Sequence, residues 1–162
     1  MLSISDKAHI SRLADIEDSV RGSRIIVEDG VIVDSFVKIK PTGGTGDLSI
    51  GRNTYINSGV VIYTGNGVQI GEGVLIAANC TLAPVNHAYR SKDKTLREQG
   101  FAPSKGGIVI EDDVWIGANT VVLDGAHLGK GCVVGANSLV AGALEPYSIN
   151  VGSPVRLIGY RE

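Results

Sequence analysis

His87 stands in the polar segment PVNHAYRSKDKTLREQGFAPSKGG, which runs from Pro84 to Gly107 between two stretches of regularly spaced aliphatic residues. An unperturbed imidazole ionises near pH 6.5, so a histidine open to a ligand can take a proton from a hydroxyl close to neutrality. The other two histidines are weaker candidates: His9 lies near the start of the chain and His127 falls on an outward position of the regular pattern. A plain surface or loop-packing role is the ordinary alternative for His87. The two cysteines, Cys80 and Cys132, are too few for a disulfide framework and lack CxxC spacing. Both occupy positions that call for a small inward side chain, so they read as buried apolar residues.

The element that must hold the histidine is a repeat. Aliphatic residues recur every six positions: Ile50, Ile56 and Ile62, then Ile70, Ile76 and Leu82 after a two-residue slip, and later Ile110, Ile116, Val122, Leu128, Val134 and Val140. A period of six fits neither a helix nor a long two-faced strand, but it suits a solenoid in which each hexad is one short strand and one corner. Three hexads close a coil of 18 residues. Ile32 lies one coil before Ile50 and Ile26 one hexad earlier. Coils are therefore expected over residues 25–145 of a single 162-residue domain, with residues 1–24 unassigned and 146–162 as a short C-terminal cap.

Counting the aliphatic residue as first, the fourth hexad position holds Asn53, Gly59, Gly65, Gly73, Asn79, Asp113, Asn119, Gly125, Gly131 and Asn137. Gly, Asn and Asp tolerate positive φ, so each corner is expected to turn through a left-handed residue. The fifth position is small (Thr54, Val60, Val74, Cys80, Val114, Thr120, Ala126, Cys132, Ser138), with Asn66 the exception beside the slip. The first and fifth side chains are expected to share a narrow interior. After Leu82 the pattern restarts late, at Ile110, so 22 extra residues leave the rod as an extruded loop at about residues 85–107. Long loops on a rigid scaffold commonly carry function, and His87 sits where this one departs.

Equivalent residues one coil apart stack roughly 4.8 Å from each other, so columns are legible in the sequence. Ser58, Ala78, Ala118 and Ala136 form a column of small groups with accessible backbone. A thin ligand arm could lie along it, although alanine also simply suits a solenoid surface. Trp115, the only tryptophan, is at an outward position, where a large aromatic needs cover from a ligand or a neighbouring subunit. Asn57 interrupts a row that is otherwise Gly or Ala (Gly51, Gly71, Ala77, Gly117, Gly129, Gly135).

Fifteen Lys and Arg against 17 Asp and Glu give a formal charge of −2, which supplies no attraction for nucleic acid or an anionic membrane. No apolar run approaches the roughly 20 residues of a membrane span and no leader is visible, so a cytoplasmic protein is expected.

The runs IGEGVLIAANCTL and IEDDVWIGANTVVLDGAHLGKGCVVGANSLV, the interrupting loop and the tail GSPVRLIGY resemble, in that order, the hexapeptide-repeat acetyltransferases over residues 48–159. NHAYR followed by REQG resembles the catalytic-histidine loop of galactoside, maltose and lipopolysaccharide or capsule O-acetyltransferases. The resemblance implies an all-β, left-handed parallel β-helix, a homotrimer with active sites between subunits, acetyl-CoA as co-substrate and no metal. It implies His87 as general base and Asn57 as a residue binding the acceptor. It further implies Trp115 beside the coenzyme arm, backbone contacts from Ala118 and Ala136, and Arg156 near the nucleotide phosphates. One departure stands out: where many members carry a lysine in a TKD-like run, this chain reads AGALEP, and Gly142 supplies no charge.

The expected activity is acetyl transfer to a hydroxyl of a small saccharide or a surface-polysaccharide precursor. Two alternatives stay open, N-acylation of a nucleotide-linked amino sugar and a non-catalytic β-helix scaffold. A zinc enzyme on the γ-carbonic-anhydrase plan would need several histidines in ligand placement, whereas His87 and His127 lie 40 residues apart.

Overall fold

Short strands with a turn-forming residue at each end, repeated in register, wind the chain into a three-sided parallel β-helix. The computed structural model describes residues 1–162. One coil shows the plan: Leu48–Ile50 lies in the first sheet, Tyr55–Ile56 in the second and Val61–Tyr63 in the third. Strands of successive coils pair in parallel, so the sheets grow to seven, eight and six strands along the rod. An antiparallel pairing of Ser148–Val151 with Arg156–Tyr160 turns the chain back at the C-terminal end.

The hexad positions behave as the side-chain types demand. All ten fourth-position residues adopt positive φ, from 38° at Gly65 to 86° at Gly125, with Asn53, Asn79, Asp113, Asn119 and Asn137 between 56° and 60°. Asn and Asp tolerate this region because their short polar side chains bond locally. First- and fifth-position residues merge into one cluster of 27 buried apolar side chains running the length of the rod. Ile110, Ile116 and Val122, one from each sheet, all lie in it. Cys80 and Cys132 are buried there too, and burial pushes the Cys132 thiol up to about 11, which keeps it protonated and unreactive.

The N-terminal third departs from the sequence reading in two ways. First, residues 1–24, unassigned from the sequence, belong to the rod: Leu2–Ile4, His9–Ile10 and Asp15–Ile16 make a further coil that pairs with the next. Its hexads were hidden because Lys7 and Leu13 stand where Gly, Asn or Asp would mark a corner. Second, the inward residues of the following coil are Val27, Val33 and Ile39, while Ile26 and Ile32 face outward. Val27 pairs with Ile50, 23 positions on, because five residues are inserted at Pro41–Asp47 and the 18-residue period is broken.

Every insertion falls on one corner, where the third sheet leads back to the first. The segments after Ile16, Lys40, Tyr63 and Ala83 stack there, so tightly that a Cβ on Gly44 would meet the carbonyl oxygen of Gly65 at 2.3 Å. The other corners stay regular. Between the second and third sheets the N–H of Asn79, Asn119 and Asn137 donates to the carbonyl of Ser58, Ala78 and Ala118, fixing a constant rise.

Candidate functional site

The histidine corner is built first by its backbone. The N–H of Ala88 donates to Gly100 O at 2.9 Å and that of Ala102 to Asn86 O at 2.7 Å, closing the loop into a short antiparallel bridge. His87 and Phe101 face each other across it with ring centroids 4.9 Å apart and planes tilted by 34°. The imidazole is exposed and its one close neighbour is the Phe101 ring, so both ring nitrogens are available. Beyond the bridge, Leu96–Gln99 forms one helical turn with a capping box: the Thr95 hydroxyl accepts from Glu98 N, and the Glu98 carboxylate accepts from Thr95 N.

A buried carboxylate holds the feet of this loop. Asp124, 2% exposed, accepts from Gly107 N through Oδ1 and from Lys105 N through Oδ2, both at 2.8 Å. Its Oδ2 also accepts from Asn66 Nδ2 at 3.1 Å, and Asn66 N donates to Pro84 O at the loop's departure. Asn66, the exception to the small fifth position, thus links the outgoing strand to the returning one. Asp124→Ala leaves these buried donors unanswered. We expect it to cost on the order of 2–4 kcal/mol, and hydrogen exchange should accelerate over residues 84–107 while coil amides stay protected. Unchanged exchange in the loop would show that the carboxylate does not hold it.

The second corner gathers the other sequence-derived residues. Asn57, Ala118 and Ala136 lie along the edge between the second and third sheets, with Trp115 on the adjoining outer face of the second. Arg156 pairs with Val151, and Val151 packs over Gly135, so the arginine sits at the C-terminal end of the same edge. The N–H groups of Ala78, Ala118 and Ala136 donate to no group of the chain, which leaves a file of unbonded donors up the edge. Beside it Tyr55, Asn57, Leu75, Ala77 and Trp115 line a cavity of about 180 Å³. Trp115 is 51% exposed.

His87 is not brought to this edge. The third sheet lies between the two corners, some six residues of extended chain, or roughly 15–20 Å at about 3.3 Å per residue. Sequence reasoning also missed Asp34, Tyr55, Phe101 and Asp124. Asp34 occupies the same place as Asn57 one coil earlier, and only the corrected register of Val33 reveals it. Thr95-x-x-Glu98 was a readable capping signal, whereas the Phe101 stacking carried none. No group of three or more His, Cys, Asp or Glu side chains gathers to hold a metal ion, and no helix is long and apolar enough to cross a membrane.

Residues 107–142 match the family described as "Bacterial transferase hexapeptide (six repeats)", and residues 47–84 match "Hexapeptide repeat of succinyl-transferase". The galactoside O-acetyltransferase of Escherichia coli K12 is 37% identical over 112 residues, covering 69% of this chain and 53% of that protein. A putative lipopolysaccharide biosynthesis O-acetyl transferase of the same organism is 31% identical, over 71% of this chain and 61% of that one. This chain spans about half the length of the curated relatives it matches. Among solved structures, a hexapeptide-repeat acetyltransferase of Vibrio cholerae complexed with acetyl coenzyme A superposes with a TM-score of 0.62 at 34% identity, covering 71% of this chain and 61% of that one. The N-acyltransferase AntD of Bacillus cereus shares the fold over 99% of this chain and 84% of its own, with a TM-score of 0.82 at 22% identity.

Proposed function

We propose, from the premise that this chain belongs to the hexapeptide-repeat transferases, that it transfers an acetyl group from acetyl-CoA to a sugar hydroxyl. The observation that carries the reading is the file of unbonded N–H groups at Ala78, Ala118 and Ala136, running from Trp115 towards Arg156. A pantetheine arm is a chain of amides with a thioester at one end, and such a file answers its carbonyls. Trp115 would cover the arm, and Arg156 would meet the nucleotide phosphates at the rod's end. The sugar acceptor is suggested by the names of the galactoside and lipopolysaccharide relatives, and Asn57, lining the cavity beside Trp115, is the residue proposed to bind it.

In the proposed reaction His87 takes the hydroxyl proton as the acceptor oxygen bonds to the thioester carbon. The tetrahedral oxyanion is met by the N–H of Ala118, prepared without reorganisation. Collapse breaks the carbon–sulfur bond, and the imidazolium returns its proton to the departing thiolate. No covalent enzyme intermediate is needed. Because His87 and Ala118 lie on opposite edges of the third sheet, the imidazole that serves one file of donors comes from another subunit. A homotrimer closes three such sites with one interface used three times.

The test is release of free coenzyme A thiol from acetyl-CoA with a panel of neutral glycosides, nucleotide-linked amino sugars and no acceptor. Acceptor-dependent release with the glycosides supports O-acetylation; release with the amino sugars alone replaces it with N-acylation. Absence of coenzyme A binding removes the reading altogether. Within this assay Trp115→Ala should raise KM for acetyl-CoA about 10-fold while raising that of the acceptor less. An equal rise for both would place the indole elsewhere.

A further inference from the structure

We propose that Asp34 and Asn57 together form a binding site for a pair of hydroxyl groups on an uncharged acceptor, and that the Asp34 carboxylate excludes anionic acceptors. This rests on the reading of the Trp115 cavity as the acceptor site. The argument starts from the ladder: Asp34 N donates to Ile56 O at 2.9 Å and Asn57 N to Ile76 O at 3.0 Å, so the two residues hold the same place on successive coils. Stacked coils set them roughly 4.8 Å apart. Each is fixed in the same way, with Oδ1 accepting the N–H of the next residue: Ser35 N to Asp34 at 2.7 Å and Ser58 N to Asn57 at 2.9 Å.

That shared anchor leaves two unlike atoms side by side, a carboxylate oxygen and an amide nitrogen. Asp34 Oδ2 accepts from Ser58 Oγ at 3.0 Å and from Tyr55 OH at 3.4 Å, which ties it to the cavity wall. Asn57 Nδ2 donates to nothing in the chain. The long 3.4 Å contact from Tyr55 is the one a sugar hydroxyl would replace; an oxygen that then accepts from one hydroxyl and an N–H₂ that donates to another are complementary to neighbouring hydroxyls of a sugar ring. The wall suits the ring's C–H faces: Tyr55 and Leu75 stand in one outward row that continues to Trp115, each opposite the next in register.

Charge decides what the site refuses. The Ser35 N–H and then the Ser58 hydroxyl hold the Asp34 carboxyl below the usual carboxylate range, so it is ionised at neutral pH. Of the basic side chains only His9, on the preceding coil, bears on it, and no Lys or Arg pairs with it. An unpaired negative charge beside the cavity repels a phosphate or carboxylate on the acceptor.

The experiment compares kcat/KM for a neutral glycoside that the enzyme acetylates, its mono-deoxy analogues and its phosphorylated form. One deoxy analogue should fall about 10- to 100-fold with the unaltered protein, the loss of a charge-assisted hydrogen bond. Asp34→Ala should lower the parent glycoside to the same level, leave that analogue unchanged and leave KM for acetyl-CoA where it was. Asp34→Asn keeps the Oδ1 anchor to Ser35 and so guards against a folding defect; it should gain activity on the phosphorylated acceptor. If Asp34→Ala preserves the preference for parent over deoxy acceptor, or if neither variant admits the anion, the site is wrong. If the unaltered protein binds coenzyme A yet acetylates no saccharide, the functional reading fails first and this site falls with it.

Discussion

His87→Ala is expected to lower kcat by about 10² to 10⁴, the range that a positioned general base contributes, while leaving the fold and acetyl-CoA binding intact. The structural side of this is favourable for the test. The imidazole is exposed, has no hydrogen bond to lose and touches Phe101 at the mouth of a loop that the backbone bridge and Asp124 already close. Removing it should therefore cost no more than a few tenths of a kcal/mol, as surface substitutions do. Steady-state thiol release, with thermal unfolding as the control, checks it. A folded His87→Ala protein that turns over normally removes the base from the mechanism, and the loop then has to be explained by subunit contact alone.

The coil was legible because its constraints repeat. A corner that needs positive φ selects Gly, Asn or Asp each time, so Asn53 through Asn137 announced the turn positions that the structure bears out. The same logic explains where reading failed. At Lys7 and Leu13 the corner residue carries no signature, so the first coil is invisible to a rule built on residue type, and at Phe36 and Tyr147 the chain places aromatic residues at positive φ, against the rule. The five residues inserted near Gly44 then shifted the apparent register by one. By spacing alone Ile32 reads as the core residue in place of Val33, which puts Asp34 on a different column from Asn57 and conceals their kinship. Asp124 escaped for another reason: its partners Asn66, Lys105 and Gly107 are brought to it only when the slip and the loop stack on one corner. Contacts that arise from superimposed irregularities have no period to betray them.

The file of corner amides permits a test that changes a hydrogen bond without disturbing the turn that presents it. Ala118 precedes Asn119, which has φ 59°, the second central residue of a turn whose first central position favours proline. The chain itself shows the exchange is tolerated: Pro146 precedes Tyr147, also at φ 59°, and Tyr147 N donates to Lys130 O just as Asn137 N donates to Ala118 O. Ala118→Pro removes an N–H that no group of the chain accepts. Stability should hold, while kcat should fall about 10²- to 10³-fold if that donor meets the oxyanion. Ala118→Ser, which keeps the N–H, should retain activity. The two inactive proteins can then be unfolded and refolded together. If each site takes its histidine from one subunit and its donor from another, random assembly of His87→Ala with Ala118→Pro chains restores both parts at roughly a quarter of the sites. Recovery to about that fraction of normal turnover is the expected outcome. No recovery from a properly reassembled mixture would mean that both groups act within one chain, which the width of the third sheet forbids unless the loop swings across it.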